Sequence, residues 1–110
     1  MKTKEEIVKF CLTYPEVYED YTFEDTGWCV IRHRDKKKKG FAWIFERNGE
    51  IWVNMKCDPG WKEVLRDAYP AVLPAYHMNK THWNSVILNG SVPADVLTDM
   101  LDMSYELTKA

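Results

Sequence analysis

Phe41-Ala42-Trp43-Ile44-Phe45-Glu46-Arg47-Asn48-Gly49-Glu50-Ile51-Trp52-Val53-Asn54-Met55-Lys56-Cys57 is the stretch that decides the fold. Two runs of β-branched and aromatic residues flank Asn48-Gly49. Both turn residues tolerate the positive φ of a type I′ turn, so the pattern predicts a two-residue β-hairpin. The turn sets a register with 47 opposite 50, 45 opposite 52 and 43 opposite 54. Alternation then gives one face Phe41, Trp43, Phe45 and Trp52, and the other Ala42, Ile44, Ile51, Val53 and Met55. Both faces are largely apolar. Helices are expected on one of them. The aromatic face is read as core, with a contact surface for a partner or ligand as its alternative.

Upstream, Thr3-x-x-Glu6 is a capping-box pattern that starts a helix. Ile7, Val8, Cys11 and Leu12 share one side of it. Tyr14-Pro15 ends the helix, because a residue before proline avoids helical angles. Pro15 to Asp20 is read as one short helical turn, and Asp25-Thr26-Gly27 as a turn. Trp28 to Arg34 is a strand, and Asp35 to Gly40 the break before the hairpin.

Downstream, Asp58-Pro59 places an N-cap and a first-turn proline at the start of a second helix. Trp61, Val64, Leu65 and Ala68 form its apolar stripe. Tyr69-Pro70 closes it. Trp83 to Leu88 is another strand, Asn89-Gly90 a turn, and Pro93 opens the last helix. The inner stripe of that helix is read as Val92, Val96, Leu97, Met100, Leu101, Ser104 and Leu107. The order predicts an α+β two-layer sandwich. An antiparallel sheet of about five strands carries helices at the N-terminus, middle and C-terminus. Residues 1–110 form a single domain.

At 110 residues with 45% apolar content and five Trp, one core is affordable. No apolar run is long enough to span a bilayer, so no membrane partner is expected. The N-terminal residues lack the apolar core of a signal peptide, and the three cysteines are odd in number. Reduced, buried thiols in the cytoplasm are the expectation. The net charge is −2, which speaks against a general nucleic-acid binder. Residues 26–40, however, hold six cations and one acid. One short segment is therefore basic on an otherwise acidic chain.

Lys56-Cys57-Asp58-Pro59, Leu65-Arg66, Tyr69-Pro70, Pro74-Ala75-Tyr76-His77-Met78-Asn79-Lys80, His82-Trp83, Val86 and Ser104-Tyr105-x-Leu107 together resemble the MmcQ/YjbR family. Phe41-Ala42 fits as well, and the likeness runs from about Pro15 to Leu107. It implies a compact fold similar to CyaY-like and secretion-chaperone-like domains. The family's two hairpins have been called a double wing, and its members are usually labelled DNA-binding on that fold analogy. No catalytic residues come with the resemblance. The positions matching its signature are Tyr76, His77, Asn79, Lys80 and Trp83.

Three functional readings follow. Arg32, Arg34, Lys36, Lys37, Lys38 and Lys39 sit at a hairpin tip, where they can meet the phosphates of double-stranded DNA with Lys80 in support. A lysine run without interleaved aromatics has no means of reading bases, so such binding would be non-specific. The plain alternative is a solvated turn whose lysines block edge pairing. Second, Tyr76, His77, Asn79, Lys80, His82 and Trp83 crowd a loop and can build a ligand pocket, with Lys80 and the histidines on an anion and a ring on Tyr76 or Trp83. The alternative there is that Trp83 is core and the polar groups bond local backbone. Third, the aromatic sheet face can take a protein partner, as an adaptor or chaperone does. Cys57, His77 and His82 lack the spacing of a zinc site. Cys57 and Ser85 lack a recognisable base and orienter. The chain is accordingly read as non-enzymatic, without cofactor or metal.

Overall fold

The structure is a computed structural model and describes residues 1–23 and 27–110. In chain order the elements are α1 (Lys4–Cys11), β1 (Val17–Phe23), β2 (Trp28–His33), β3 (Gly40–Arg47), β4 (Glu50–Lys56), α2 (Pro59–Ala68), β5 (Val72–Pro74), β6 (Trp83–Ile87) and α3 (Ala94–Thr108). The strands form one antiparallel sheet of six, in the order β1-β2-β3-β4-β6-β5.

The central hairpin adopts the expected register. Arg47 pairs with Glu50, Phe45 with Trp52 and Trp43 with Asn54. Asn48 and Gly49 both take positive φ, at 55° and 76°. At α1, Thr3 and Glu6 form the reciprocal capping box. At α2, the Asp58 carboxylate accepts from the Gly60 N–H. Local chemistry thus starts both helices where the sequence places them.

Long-range pairing overrides the sequence reading in four places. Val17–Phe23 is a strand, where a short helical turn was expected for 15–20. Glu16 turns the chain with φ 55°, and β1 then pairs along β2 from Val17↔His33 to Phe23↔Trp28. The sixth strand, β5, is three residues, Val72–Pro74, too short to announce itself. Of the turn expected at Asp25-Thr26-Gly27, Asp25 and Thr26 lie outside the described residues, and Gly27 takes φ 72°.

The third correction concerns Phe41. Ile31 pairs with Ala42 but Arg32 pairs with Gly40, so β3 carries one extra residue against β2. Such a bulge lets neighbouring residues escape strict alternation. Phe41 leaves the aromatic face and enters the helix-side core. Its ring lies 5.1 Å from Tyr14, 5.3 Å from Tyr105 and 5.6 Å from His33, centroid to centroid.

The fourth concerns the helix stripes. In α3 the buried residues are Leu97, Met100, Leu101, Ser104, Tyr105 and Thr108, whereas Leu107 is 41% exposed. Tyr105 and Thr108 take the inner place because each has a polar partner there: Tyr105 donates to the Pro15 carbonyl, and Thr108 meets His33 Nε2 at 2.8 Å. Burial holds His33 below the usual imidazole range, favouring its neutral form. In α2, Leu65 packs against the core, while Trp61 and Val64 are 54% and 52% exposed.

The core thus lies between one sheet face and the helices. Ile7 and Cys11 of α1, Ile31, Ala42, Ile44, Val53 and Val86 of the strands, and Leu97 and Leu101 of α3 are all buried in it. Val30, Phe45 and Trp52 are buried outside that cluster, on the other face. Tyr76, from the segment of residues 75–82, lies against Phe45 and Trp52 on that face.

Candidate ligand groove

The 75–82 segment is fixed by buried polar side chains beneath it. Asn54 and Ser85 face each other across β4 and β6 and are wholly buried. Ser85 Oγ donates to Asn54 Oδ1 and accepts from the Tyr76 N–H at 2.8 Å. Asn54 Nδ2 donates to the Tyr76 carbonyl at 2.9 Å. Both backbone groups of Tyr76 are therefore satisfied by the sheet face below. At the far end, Arg66 of α2 donates to Asn84 Oδ1, to the Lys80 carbonyl and to the Trp83 carbonyl at 2.7, 2.6 and 3.3 Å. Between the two anchors Asn79 closes a local turn, its Oδ1 accepting from the N–H groups of Thr81 and His82. His77 takes a left-handed φ of 59°.

This anchoring lays Tyr76 over the aromatic face. The Trp28 and Phe45 rings stack 4.1 Å apart at 6°. Phe45 and Tyr76 lie 5.7 Å apart at 28°, and His77 sits 4.0 Å from Tyr76. The Arg47 guanidinium is 4.4 Å from the Tyr76 centroid and 5.0 Å from that of Trp52, in cation–π geometry. Between them opens a concavity of about 590 Å³, lined by Trp28, Trp43, Phe45, Glu46, Arg47, Tyr76, His77 and Met78.

Of the six loop residues singled out by sequence, two reach this groove: Tyr76 and His77. Asn79 is spent on its own turn. Lys80 and His82 are exposed, and Trp83 is half-buried at the start of β6. Trp28, Arg47 and Met78, with the Asn54–Ser85 and Arg66 supports, escaped the sequence reading. Cys57 is buried and its thiol contacts the Asp58 carbonyl at 3.4 Å. Among the described residues no three His, Cys, Asp or Glu stand close enough to hold a metal ion. Nor is any helix among them long and apolar enough to cross a membrane.

The basic tip is a built turn. Asp35 Oδ1 accepts from the N–H groups of Lys37 and Lys38, and Lys38 takes φ 51°. Lys36, Lys37, Lys38 and Lys39 are exposed. The two arginines are engaged within the fold. Arg32 pairs with Asp20 at 2.9 Å, donates to the Lys38 carbonyl and lies over Trp43. Arg34 is exposed and lies over Tyr18. β2 ends where β3 begins, β4 ends beside them, and Lys56 pairs with Trp83. Register thus places the tip and the 80–83 stretch at the same end of the sheet.

The chain matches the family model described as YjbR over residues 12–107. It is 31% identical over 104 residues to the uncharacterised protein YjbR of Escherichia coli strain K12, covering 94% of this chain and 85% of that one. It is 31% identical over 120 residues to the uncharacterised protein YyaQ of Bacillus subtilis strain 168, covering 99% and 100%. The crystal structure of Deinococcus radiodurans protein DR2400, with domain DUF419, superposes with a TM-score of 0.87 at 33% identity, covering 97% of this chain and 78% of that one. A crystal structure from Pseudomonas syringae gives 0.85 at 24% identity, covering 97% and 99%, and speaks for the fold alone.

Proposed function

The chain belongs to the YjbR family, and from that premise we propose that it is a non-enzymatic binding module that takes its ligand in the aromatic groove. One observation carries this reading: an aromatic-walled concavity of about 590 Å³ under a loop anchored at both ends. Small-molecule sites have about that size, apolar walls and a few fixed polar groups. The non-enzymatic part draws on the lining itself. Among the described lining residues there is no Ser, Cys or Thr for His77 to activate. Of the cysteines, burial pushes the Cys11 thiol up to about 12, far from a reactive thiolate.

The test is a fragment screen read by amide and indole N–H shifts. Binding fragments should move Trp28, Trp43, Phe45 to Arg47 and Tyr76 to Met78 together. A second concavity, between α2 and α3, is lined by Trp61, Val64, Val96 and Met103 among others; shifts gathered there instead would overturn the reading.

A second reading has a specific observation in its favour. Four exposed lysines stand on a turn closed by Asp35 at the same end of the sheet as Lys80. Non-specific contact with duplex phosphates through Lys36 to Lys39 predicts a slope of log affinity on log salt of about −3 to −4. Lys36→Glu with Lys38→Glu should abolish most of it. Unchanged anisotropy titrations for that pair would dismiss this reading and leave the groove untouched.

A further inference from the structure

Two guanidinium groups lie over rings that line the groove, Arg32 over Trp43 and Arg47 over Tyr76, and only Arg47 itself lines it. Arg32 lies 5.4 Å from the Trp43 centroid and is paired with Asp20 at 2.9 Å. Its Nη1 also donates to the Lys38 carbonyl. Arg47 is half-buried over Tyr76 and Trp52, and among the described residues its guanidinium makes no ion pair and no hydrogen bond. Its cross-strand neighbour Glu50 and its chain neighbour Glu46 are both exposed and do not reach it. Ring faces satisfy the charge of a guanidinium in part but take none of its N–H donors. The fork of N–H groups on Arg47 is therefore available at the rim of an aromatic cavity.

Resting on the groove reading above, we infer that the ligand is a planar aromatic molecule bearing a carboxylate or phosphate. Its ring system packs among Trp28, Trp43, Phe45 and Tyr76. Its anionic group takes on Arg47 the place that Asp20 takes on Arg32. A guanidinium presents paired donors that match both carboxylate and phosphate oxygens, and the partly desolvated, ring-backed setting strengthens that pair. A neutral planar molecule would gain the stacking and leave the donors of Arg47 unmatched. The exposed imidazole of His77, 4.0 Å from the Tyr76 ring, flanks the same rim.

The experiment uses the full chain, with isothermal titration and tryptophan fluorescence, and three probes: 2-naphthoate, 2-naphthalenemethanol and adenosine 5′-monophosphate. The variants are Arg47→Met and, as a control for the basic tip, Lys36→Glu with Lys38→Glu. The naphthoate should bind at least about tenfold tighter than the neutral alcohol. Arg47→Met should remove about that factor for naphthoate while leaving the alcohol within about twofold, which also shows that the variant folds and keeps its groove. The tip variant should bind naphthoate like the parent chain. Adenosine monophosphate binding tighter than naphthoate assigns a nucleotide-like source for the anion; the reverse order assigns an aromatic acid. Acid and alcohol binding equally, with Arg47→Met altering neither, would overturn the ligand class and leave the groove standing. No binding of any probe at millimolar concentration, with unchanged tryptophan emission, would overturn the groove reading itself.

Discussion

Asn54→Ala is expected to lower the free energy of unfolding by about 2–4 kcal/mol and to undo the groove. The side chain is wholly buried and holds two partners at once: its Nδ2 donates to the Tyr76 carbonyl and its Oδ1 accepts from Ser85. Alanine leaves the Tyr76 carbonyl and the Ser85 hydroxyl facing each other across a small void. Each buried group left without a partner costs about 1–3 kcal/mol, whereas the bond in place contributes about 1. Against a total stability of about 5–15 kcal/mol the loss is large. In urea the midpoint should fall by about 1–2 M with little change in slope. The Ser85→Ala variant removes the same linkage from the other side. The double variant should therefore cost clearly less than the two single ones summed, because both act through Tyr76. Additive losses would mean that Asn54 and Ser85 do not share one network. The groove gives a second readout: naphthoate binding should weaken in Asn54→Ala even where the chain is fully folded, since Tyr76 loses its anchor.

Why the hairpin was legible and this anchor was not has a physical reason. Asn48-Gly49 fixes a register by local backbone preference, so three cross-strand pairs follow from two residues. The capping chemistry of Thr3, Glu6, Asp58 and Pro59 is local in the same sense. Asn54, by contrast, looks like one polar residue in an apolar strand. Its role exists only once β6 lies beside β4 and brings Ser85 opposite. Arg66 reads as a solvated cation on a helix, because its partners, the carbonyls of Lys80 and Trp83, are invisible in a pattern of side chains. Arg47 reads as a charge next to a turn, because the Tyr76 ring that it lies on comes from a distant loop. The crowding of polar residues from Pro74 to Asn84 singled out the loop that carries Tyr76 and His77. It could not separate Tyr76 and His77, which face the groove, from Asn79, which bonds its own turn. Unbroken alternation places Phe41 on the aromatic face. The extra residue between Gly40 and Ala42 follows from the pairing with β2, and no sequence signal within β3 announces it. The basic tip shows the same limit. Its lysines are where the sequence puts them, but Arg32 is tied to Asp20, which belongs to the strand that sequence periodicity missed.

That bulge leads to the second large effect, at Ser104. A bulged residue lies outside the regular ladder, so its backbone groups need partners elsewhere. The carbonyl of Phe41 finds one in α3: Ser104 Oγ donates to it at 2.6 Å. The same oxygen accepts from the Lys56 N–H at 2.8 Å, at the end of β4. One buried hydroxyl thus joins two strands to the helix that covers them. In the sequence it passes as a small residue in an apolar stripe, interchangeable with alanine. The structure says otherwise. Ser104→Ala should raise helix propensity slightly, by a few tenths of a kcal/mol, and lose far more. With a carbonyl and an N–H stranded in the core, the net fall should be about 2–4 kcal/mol. Hydrogen exchange localises it: the Lys56 amide should lose protection, while amides around Tyr76, held by Asn54 and Ser85, should not change under native conditions. Ser91→Ala, at an exposed site, serves as the reference and should stay within about 0.5 kcal/mol. A Ser104→Ala midpoint equal to that of the reference would mean that the helix and the bulge are not joined through this hydroxyl. The two variants also separate fold from site. Ser104→Ala should weaken the sandwich while leaving ligand affinity of the folded molecules within about twofold, and Asn54→Ala should weaken both, because the groove is carried on the sheet face opposite the helices.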